Sequence, residues 1–282
     1  MRKILIPTDF SDNAFNALKY ACELFKYDTS VFFIMHAYQD DIYASGEMMT
    51  EETLKEVTTL VSKKSEELLD DTLKRLDAIK QNPRHTFHVV SSNSMLIDEA
   101  DRIVDEENID LIVMGTRGKT NDRSLTFGSN TLQVLRYVQC PVLAIPEQFS
   151  GIQPRHILFP TNYLIPYKRR ELKLLCELAA PYRATIDLLY ISKSSHLSMR
   201  QKDNQKFITD ELSKNPVNCK TIDNKSISNA IYSYIKERDI DMLVMVNTRH
   251  SFLENILYQS TIDEMSLYLE IPFLALQNIR RN

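Results

Sequence analysis

Glycine is scarce in this chain, and three of its five glycines stand close together. Gly115 and Gly118 form a G-x-x-G pattern, and Gly128-Ser129 follows after nine intervening residues. Glycine lets backbone N–H groups approach a phosphate closely and reaches positive φ at little cost. A helix beginning at Gly128 would add unpaired N–H groups and a favourable dipole for an anion. The stretch is therefore a candidate phosphate-binding loop, and a chance cluster of turn glycines is the alternative.

The elements around these glycines alternate between strand and helix. In the first half, short apolar runs predict strands at residues 3–7, 30–37, 86–90, 111–114 and 142–145. Amphipathic stretches predict helices from Ser11 or Asp12 to about residue 25, and over residues 50–80, 95–107 and 128–138. Alternating strands and helices predict a parallel sheet with helices on both faces. The glycine loop then starts at the carboxyl end of the fourth strand, where open α/β sheets bind ligands.

The second half of the chain repeats the first. Residues 3–10, KILIPTDF, match residues 156–163, HILFPTNY, and residues 109–114, IDLIVM, match residues 240–245, IDMLVM. The offset of the second match also carries PVLAI onto PFLAL without a gap. The repeat predicts two domains, residues 1–147 and 155–282, joined by a linker with glycine and proline. The second domain is expected to have a shorter middle, because the long helix predicted in the first half has little counterpart there.

These features resemble the universal stress protein family over nearly the whole chain. Its ATP-binding members carry the same G-x-x-G, nine residues, G-(S/T) loop, then a helix and a Pro-Val-Leu strand, here residues 141–143. They also open with an apolar strand that ends in an aspartate, here Asp9. The resemblance implies two tandem α/β domains of the adenine-nucleotide alpha-hydrolase-like fold. Each would be a five-stranded parallel sheet of order 3-2-1-4-5 with helices on both faces.

The resemblance also implies an ATP site, with or without Mg²⁺, in the first domain. Asp9 would contact the nucleoside, and Ala37 would lie beside the adenine. The phosphates would be held by Gly115, Gly118, Gly128 and Ser129. An additional polar group near the cap of the first helix is the alternative role for the aspartate. Three basic side chains of the loop either neutralise phosphate charge or are simply solvated: Arg117, Lys119 and Arg123.

The second copy has lost the glycine loop. The three glycines and the aspartate of the first copy are replaced by Val246, Arg249, Gln259 and Asn162. Side chains would fill the space that phosphates need, and a non-glycine residue forced to positive φ costs about 1–3 kcal/mol. We therefore expect a folded structural or regulatory domain that binds no ATP in the family manner. A loop rebuilt for another ligand is the alternative.

Composition and charge argue against several other classes of function. A net charge of −4 and a pI near 5.9 provide no clustered basic surface for nucleic acid. The chain contains no apolar run of about 18 residues, so no membrane span is predicted. The apolar run at the N-terminus is too short for a signal peptide, which predicts a cytoplasmic protein. The four cysteines and six histidines lack metal-ligand spacing, so we predict no metal site and four buried thiols.

The candidate loop carries no recognisable catalytic motif. The Walker loop, the S-G-G-x-D-S loop of related ATP pyrophosphatases, the H-x-G-H motif and the G-x-S-x-G elbow are all absent. We therefore predict a stress-response binding module without catalytic residues, in which ATP biases conformation or partners. Two alternatives stay open. One is a slow ATP hydrolase, with Asp9 and Ser129 as candidate residues, and the other is a structural stress protein that binds no nucleotide.

The resemblance also bears on assembly. Domains of the family pair through their last strands, so residues 142–145 would face residues 273–276 within one chain as an intramolecular pseudo-dimer. Such pairing would cover two sheet edges at once. A homodimer formed through the long helix of residues 50–80 is a further hypothesis.

Overall fold

The chain is represented by a computed structural model. It describes residues 1–43, 50–79, 82–118, 127–147, 149–151, 153–165, 167–192, 196–224, 226–248, 253 and 269–278. These residues separate into two compact units, the first within Met1–Gln148 and the second within Phe149–Asn282.

The first unit alternates strands with helices. Its strands are β1 (Arg2–Pro7), β2 (Ser30–Ala37), β3 (His85–Ser92), β4 (Leu111–Gly115) and β5 (Val142–Ile145). Its helices are α1 (Asp12–Leu24), α2 (Gln39–Tyr43), α3 (Glu51–Asp77), α4 (Leu96–Glu107) and α5 (Ser129–Tyr137). The strands lie in the order β3-β2-β1-β4-β5, and all neighbours are parallel. The predicted order 3-2-1-4-5 is confirmed.

The second unit has the same strand order. Its strands are β6 (His156–Pro160), β7 (Thr185–Ile191), β8 (Val217–Ile222), β9 (Met242–Asn247) and β10 (Phe273–Gln277). They form the parallel order β8-β7-β6-β9-β10. Its helices in the described residues are α6 (Arg169–Ala179), α7 (Met199–Glu211) and α8 (Ile227–Glu237), with a 3₁₀ turn at Ala180–Tyr182. The middle of this unit is shorter, as expected, because α7 has 13 residues where α3 has 27.

The central strands are buried because helices pack over them. Every residue of β4 and of β9 is buried, which is why both sequences are apolar runs apart from the final Asn247 of β9. In the first unit α1 packs on β4 and β5, and α4 packs on β1 and β2. The carboxyl ends of the strands lie together at one edge of the sheet, and α1, α2 and α5 begin at this edge.

The repeated Ile-Asp pair has a structural role in each unit. The Asp110 carboxylate accepts a hydrogen bond from the Lys3 backbone N–H at 2.9 Å, and Asp241 accepts one from His156 at 2.9 Å. In return, the backbone N–H of each aspartate donates to the carbonyl of the same partner, at 2.9 and 2.8 Å. The aspartate therefore joins the starts of the two central strands in both units.

The prediction of four buried thiols is wrong for one cysteine. Cys22, Cys140 and Cys176 are buried, but Cys219 is exposed. It lies on β8, which is at the edge of its sheet, so no further strand covers it. Within the described ranges, no helix is both long enough and apolar enough to cross a membrane.

Candidate functional site

A cleft of about 220 Å³ opens at the carboxyl ends of β1, β2 and β4. This volume is somewhat below the range of about 300–1,000 Å³ that is typical of small-molecule sites. The structure brings all six predicted site residues to its wall: Asp9, Ala37, Gly115, Gly118, Gly128 and Ser129. They come from the ends of three strands and from the start of α5. The sequence thus located one cavity from residues that are far apart along the chain.

A tight turn after β1 positions Asp9. The Thr8 hydroxyl accepts from the Phe10 N–H at 3.0 Å, and Asp9 Oδ1 accepts from the Ser11 N–H at 3.0 Å. Phe10 has a φ of 63°, in the left-handed region. The Ser11 hydroxyl then caps α1 by accepting from the Ala14 N–H at 3.1 Å.

The second carboxylate oxygen of Asp9 faces the glycine loop. A Cβ added to Gly118 would lie 2.5 Å from Asp9 Oδ2, which is far inside van der Waals contact. Both roles considered for Asp9 are therefore compatible with the geometry, because one oxygen makes the turn and the other borders the cleft.

The glycines of the loop are required by close approach rather than by φ. None of the described glycines has a positive φ, so the ease with which glycine adopts that conformation does not explain these positions. A Cβ on Gly115 would meet Asn13 Nδ2 at 2.8 Å and its Cγ at 2.9 Å. A Cβ on Gly128 would meet nothing nearer than 3.4 Å, which is ordinary contact.

Three hydrogen bonds hold the loop from different elements. Asn13 Nδ2 on α1 donates to the Arg117 carbonyl at 2.6 Å, and Thr131 Oγ1 on α5 donates to the Gly115 carbonyl at 2.8 Å. The Gly128 N–H donates to the Thr116 carbonyl at 2.8 Å. Sequence reasoning missed Asn13 and Thr131. Asn13 is 104 positions from its partner, so no local pattern identifies it.

The N-terminus of α5 offers donors to the cleft. Its N-cap is Gly128, which has no side chain, and no side-chain hydrogen bond caps the helix among the described residues. By contrast, α1 is capped by Ser11. The first N–H groups of a helix have no intrahelical partner, and the helix dipole favours an anion beside them. Ser129 and Asn130 stand exposed at this end of the cleft.

The opposite end of the cleft, at the end of β2, is bordered by Ala37 and by a buried histidine. His36 Nδ1 lies 2.9 Å from Ser65 Oγ, which in turn lies 2.8 Å from Ser91 Oγ. His36 Nε2 lies 3.6 Å from a carboxylate oxygen of Asp41. Neither His36 nor Asp41 was predicted as a site residue. The histidine ties β2 to α3 and β3 and so fixes the wall beside Ala37.

The charges of the cleft are unevenly distributed. Asp40 and Asp41 lie at the Ala37 end, whereas Arg117 is the basic residue among the described residues that line the cleft and lies in the glycine loop. Asp9 also lines the cleft, and one of its carboxylate oxygens faces Gly118. An anionic group is therefore disfavoured near α2, whereas near the loop Arg117 and the N-terminus of α5 attract it and Asp9 repels it. The described residues include no cluster of three or more histidine, cysteine or acidic side chains suited to a metal ion.

The corresponding region of the second unit keeps the turn and lacks the glycines. The Thr161 hydroxyl accepts from the Tyr163 N–H at 2.9 Å, and Asn162 Oδ1 accepts from the Leu164 N–H at 2.8 Å, as in the first unit. Tyr163 has a φ of 56°. Val246 occupies the place of Gly115 and is 4% exposed. Arg249 and Gln259, which replace the other two glycines, lie outside the described residues.

Comparison with known proteins gives matches over the first half of the chain. The model of the universal stress protein family matches residues 1–146. The chain is 28% identical over 147 residues to universal stress protein MJ0531 of Methanocaldococcus jannaschii, covering 52% of this chain and 82% of that protein. It is 25% identical over 161 residues to universal stress protein MJ0577 of the same organism, covering 53% of this chain and 97% of that protein.

A solved structure matches over both halves. A universal stress protein of Archaeoglobus fulgidus aligns with a TM-score of 0.69 at 15% identity, covering 98% of this chain and 96% of that chain. At this identity the likeness concerns the fold alone.

Proposed function

Because this chain belongs to the universal stress protein family, we propose that its first unit binds ATP in the cleft as a regulatory signal of a stress response. The observation that carries the proposal is that Gly115, Gly118 and Gly128 line the cleft beside the N-terminus of α5, which no side chain of the described residues caps. Glycines and an uncapped helix start both let backbone N–H groups approach an anion. The proposed module needs no catalytic residue.

The residues present fit an adenine nucleotide. Gly118, Gly128 and Ser129 would hold the phosphates, with Arg117 opposing their charge, and they line the end of the cleft remote from the carboxylates of α2. Asp9 would contact the nucleoside, and the small Ala37 leaves room for a flat base. Gly115 also lines the cleft, although the space beside its Cα is taken by Asn13.

We propose that the second unit is a structural or regulatory partner that binds no nucleotide in this manner. Val246 fills the position of Gly115, and an amide replaces the carboxylate of Asp9. The cytoplasmic location and the pairing of the domains through their last strands stay predictions from the sequence. The homodimer also stays a prediction, and light scattering tests it.

Calorimetric titration with ATP tests the proposal, with and without Mg²⁺. We expect a stoichiometry near one and a micromolar Kd, about −8 kcal/mol. Gly118→Val should abolish the binding, because its Cβ would lie 2.5 Å from Asp9 Oδ2 and its methyl groups would enter the cleft. Gly151→Val is the matched control, since Gly151 lies outside the cleft, and it should retain the affinity.

The other outcomes separate the alternatives. A stoichiometry near two would contradict the proposal for the second unit. Absence of binding by the folded protein would overturn the nucleotide proposal in favour of a structural role. ATP that stays intact overnight with Mg²⁺ supports a binding module, whereas release of ADP that Gly118→Val abolishes would establish a hydrolase.

A further inference from the structure

Asn13 is a buried amide directly behind the glycine loop. The residue is 5% exposed, and its Nδ2 donates to the Arg117 carbonyl at 2.6 Å. We infer that Asn13 is a positioning residue that sets the loop for phosphate, and that position 115 is glycine in order to admit its amide. The inference rests on the proposed function in naming phosphate as the group that the loop receives.

The contacts of the glycines distinguish this role from direct phosphate binding. The direction in which Gly115 lacks a Cβ points at Asn13, whose Nδ2 and Cγ would lie 2.8 and 2.9 Å away. The equivalent direction at Gly118 points at Asp9. Both glycines therefore make room for side chains of the β1–α1 segment. Since both contacts are far shorter than packed atoms tolerate, neither side chain keeps its place if a methyl group is added.

The Oδ1 atom of the Asn13 amide supports a positioning role for its Nδ2 atom. Asn13 Oδ1 is buried and accepts no hydrogen bond from the residues that the structure describes. A buried acceptor without a partner destabilises a protein, and an apolar residue of similar size would avoid that cost. If position 13 served packing alone, an apolar residue would therefore stabilise the unit more than asparagine does. Its Nδ2–Arg117 hydrogen bond is the interaction that an apolar residue would not supply.

The second unit lost both members of the pair together. Gly115 corresponds to Val246, and Asn13 corresponds to Pro166 or Tyr167, depending on where the extra residue of that segment is placed. Neither has a side-chain amide. Joint loss is expected when the glycine exists to accommodate the asparagine, because without the amide the position is free to take a side chain.

The loss of affinity caused by substituting Asn13 should depend on whether the ligand carries phosphates. Asn13 holds the backbone at Arg117, within the loop, and does not itself line the cleft. Loosening this contact should therefore weaken a ligand with phosphates more than one without them. Adenosine and ATP together provide a readout that general destabilisation of the unit does not change.

A double-mutant cycle tests the inference. Calorimetry with ATP is applied to the full chain, to Asn13→Ala, to Gly115→Ala and to the double variant. We expect each single variant to weaken ATP binding about tenfold. The double variant should lose no more than about tenfold, because the added methyl group displaces no amide and its nearest remaining neighbour is the Arg117 carbonyl oxygen, at 3.1 Å. Adenosine affinity should change less than about threefold.

The inference is overturned if Asn13→Ala binds ATP within about twofold of wild type. It is also overturned if the two losses multiply to about a hundredfold in the double variant. Equal losses of affinity for adenosine and for ATP would overturn it as well. Asn13→Leu, which keeps about the same volume, loses the donor and adds no charge, replaces Asn13→Ala if that variant does not fold.

Failure of the proposed function gives a different signature. In that case the wild-type chain binds neither ligand, and hydrogen exchange at the backbone amides of residues 115–118 becomes the readout. Faster exchange in Asn13→Ala, confined to this loop, supports the positioning role, whereas unchanged exchange overturns it.

Discussion

Phe10 and Tyr163 hold the same left-handed turn in the two units, but the turns lead into different surroundings. In the first unit the turn presents a carboxylate to a glycine, Gly118. In the second unit the same turn presents Asn162, and a buried Val246 takes the place of the glycine that ends β4. The comparison shows that the turn accompanies the Thr-Asx pair at the end of the first strand in both units and does not require a glycine in the position of Gly115.

The two units also bury one glutamate each, with opposite electrostatics. Glu99 on α4 is 3% exposed, and its hydrogen bonds from Arg102 hold the pKa of its carboxyl below the ordinary value. Glu171 on α6 is equally buried, and burial raises its pKa to about 7, although the Lys168 N–H at 3.3 Å opposes the rise. A paired acid thus stays ionised, and a poorly paired one does not.

The largest expected difference between the units is the pH dependence that Glu171 causes. Its folded pKa of about 7 exceeds the ordinary value of 4.5, so the folded second unit keeps a proton that the unfolded chain releases. This stabilisation is present below pH 4.5 and is lost as the pH rises through 7. Between about pH 5 and pH 7.5, wild type should lose up to about 3 kcal/mol of unfolding free energy relative to Glu171→Gln.

Denaturant unfolding at both pH values measures that difference. Glu99→Gln is the matched control in the first unit, with the opposite sign. The stabilisation that the Glu99 carboxylate provides in wild type is present above the ordinary pKa of 4.5 and is lost as the pH falls. Parallel pH profiles for wild type and Glu171→Gln would show that the two glutamates do not differ in this way.

A smaller effect is expected from Val246→Ala. Removing two buried methyl groups from the end of β9 should cost about 2 kcal/mol of stability, as should Val113→Ala in β4. The stoichiometry of ATP binding should stay near one, because the second unit would still lack counterparts of Asn13 and Asp9. Calorimetry that gives a stoichiometry of two would show that the side chain at position 246 alone closes a second site.

The strand-joining aspartates should behave alike in the two units. Asp110→Ala and Asp241→Ala each remove a carboxylate that accepts backbone N–H groups, at 2.9 Å from Lys3 and at 2.8 and 2.9 Å from Arg155 and His156. Each should lower the unfolding free energy by about 1 kcal/mol, with the asparagine variants losing less. A loss in only one unit would mean that the repeated Ile-Asp pair has no common role.

The smallest effect is expected at Gly128. An added Cβ would have its nearest neighbours at 3.4 to 3.7 Å, so Gly128→Ala should change ATP affinity less than about threefold. A loss as large as that of Gly118→Val, measured by the same titration, would show that ligand contact rather than packing requires this glycine.

Much of the fold followed from local patterns. Continuous apolar runs predicted β2 and β5 at the residues that form them, and Ser11 and Thr50 cap the helices predicted to start there. The family resemblance and the strand order are confirmed. The short helix α2 was not predicted, since five residues are too few to display a helical period.

The sequence by itself determined the repeat, the alternation of strands and helices and the place of the glycine loop after the fourth strand, because these depend on internal similarity and periodicity. The strand order and the assignment of Asp9 and Ala37 to the site came from the resemblance to the family. Only the tertiary structure decided which atoms face each other at the carboxyl ends of the strands. Asn13 behind Gly115 and His36 against Ser65 join elements distant in the chain. Such contacts follow from how helices pack on the sheet, and no local pattern of residues encodes them.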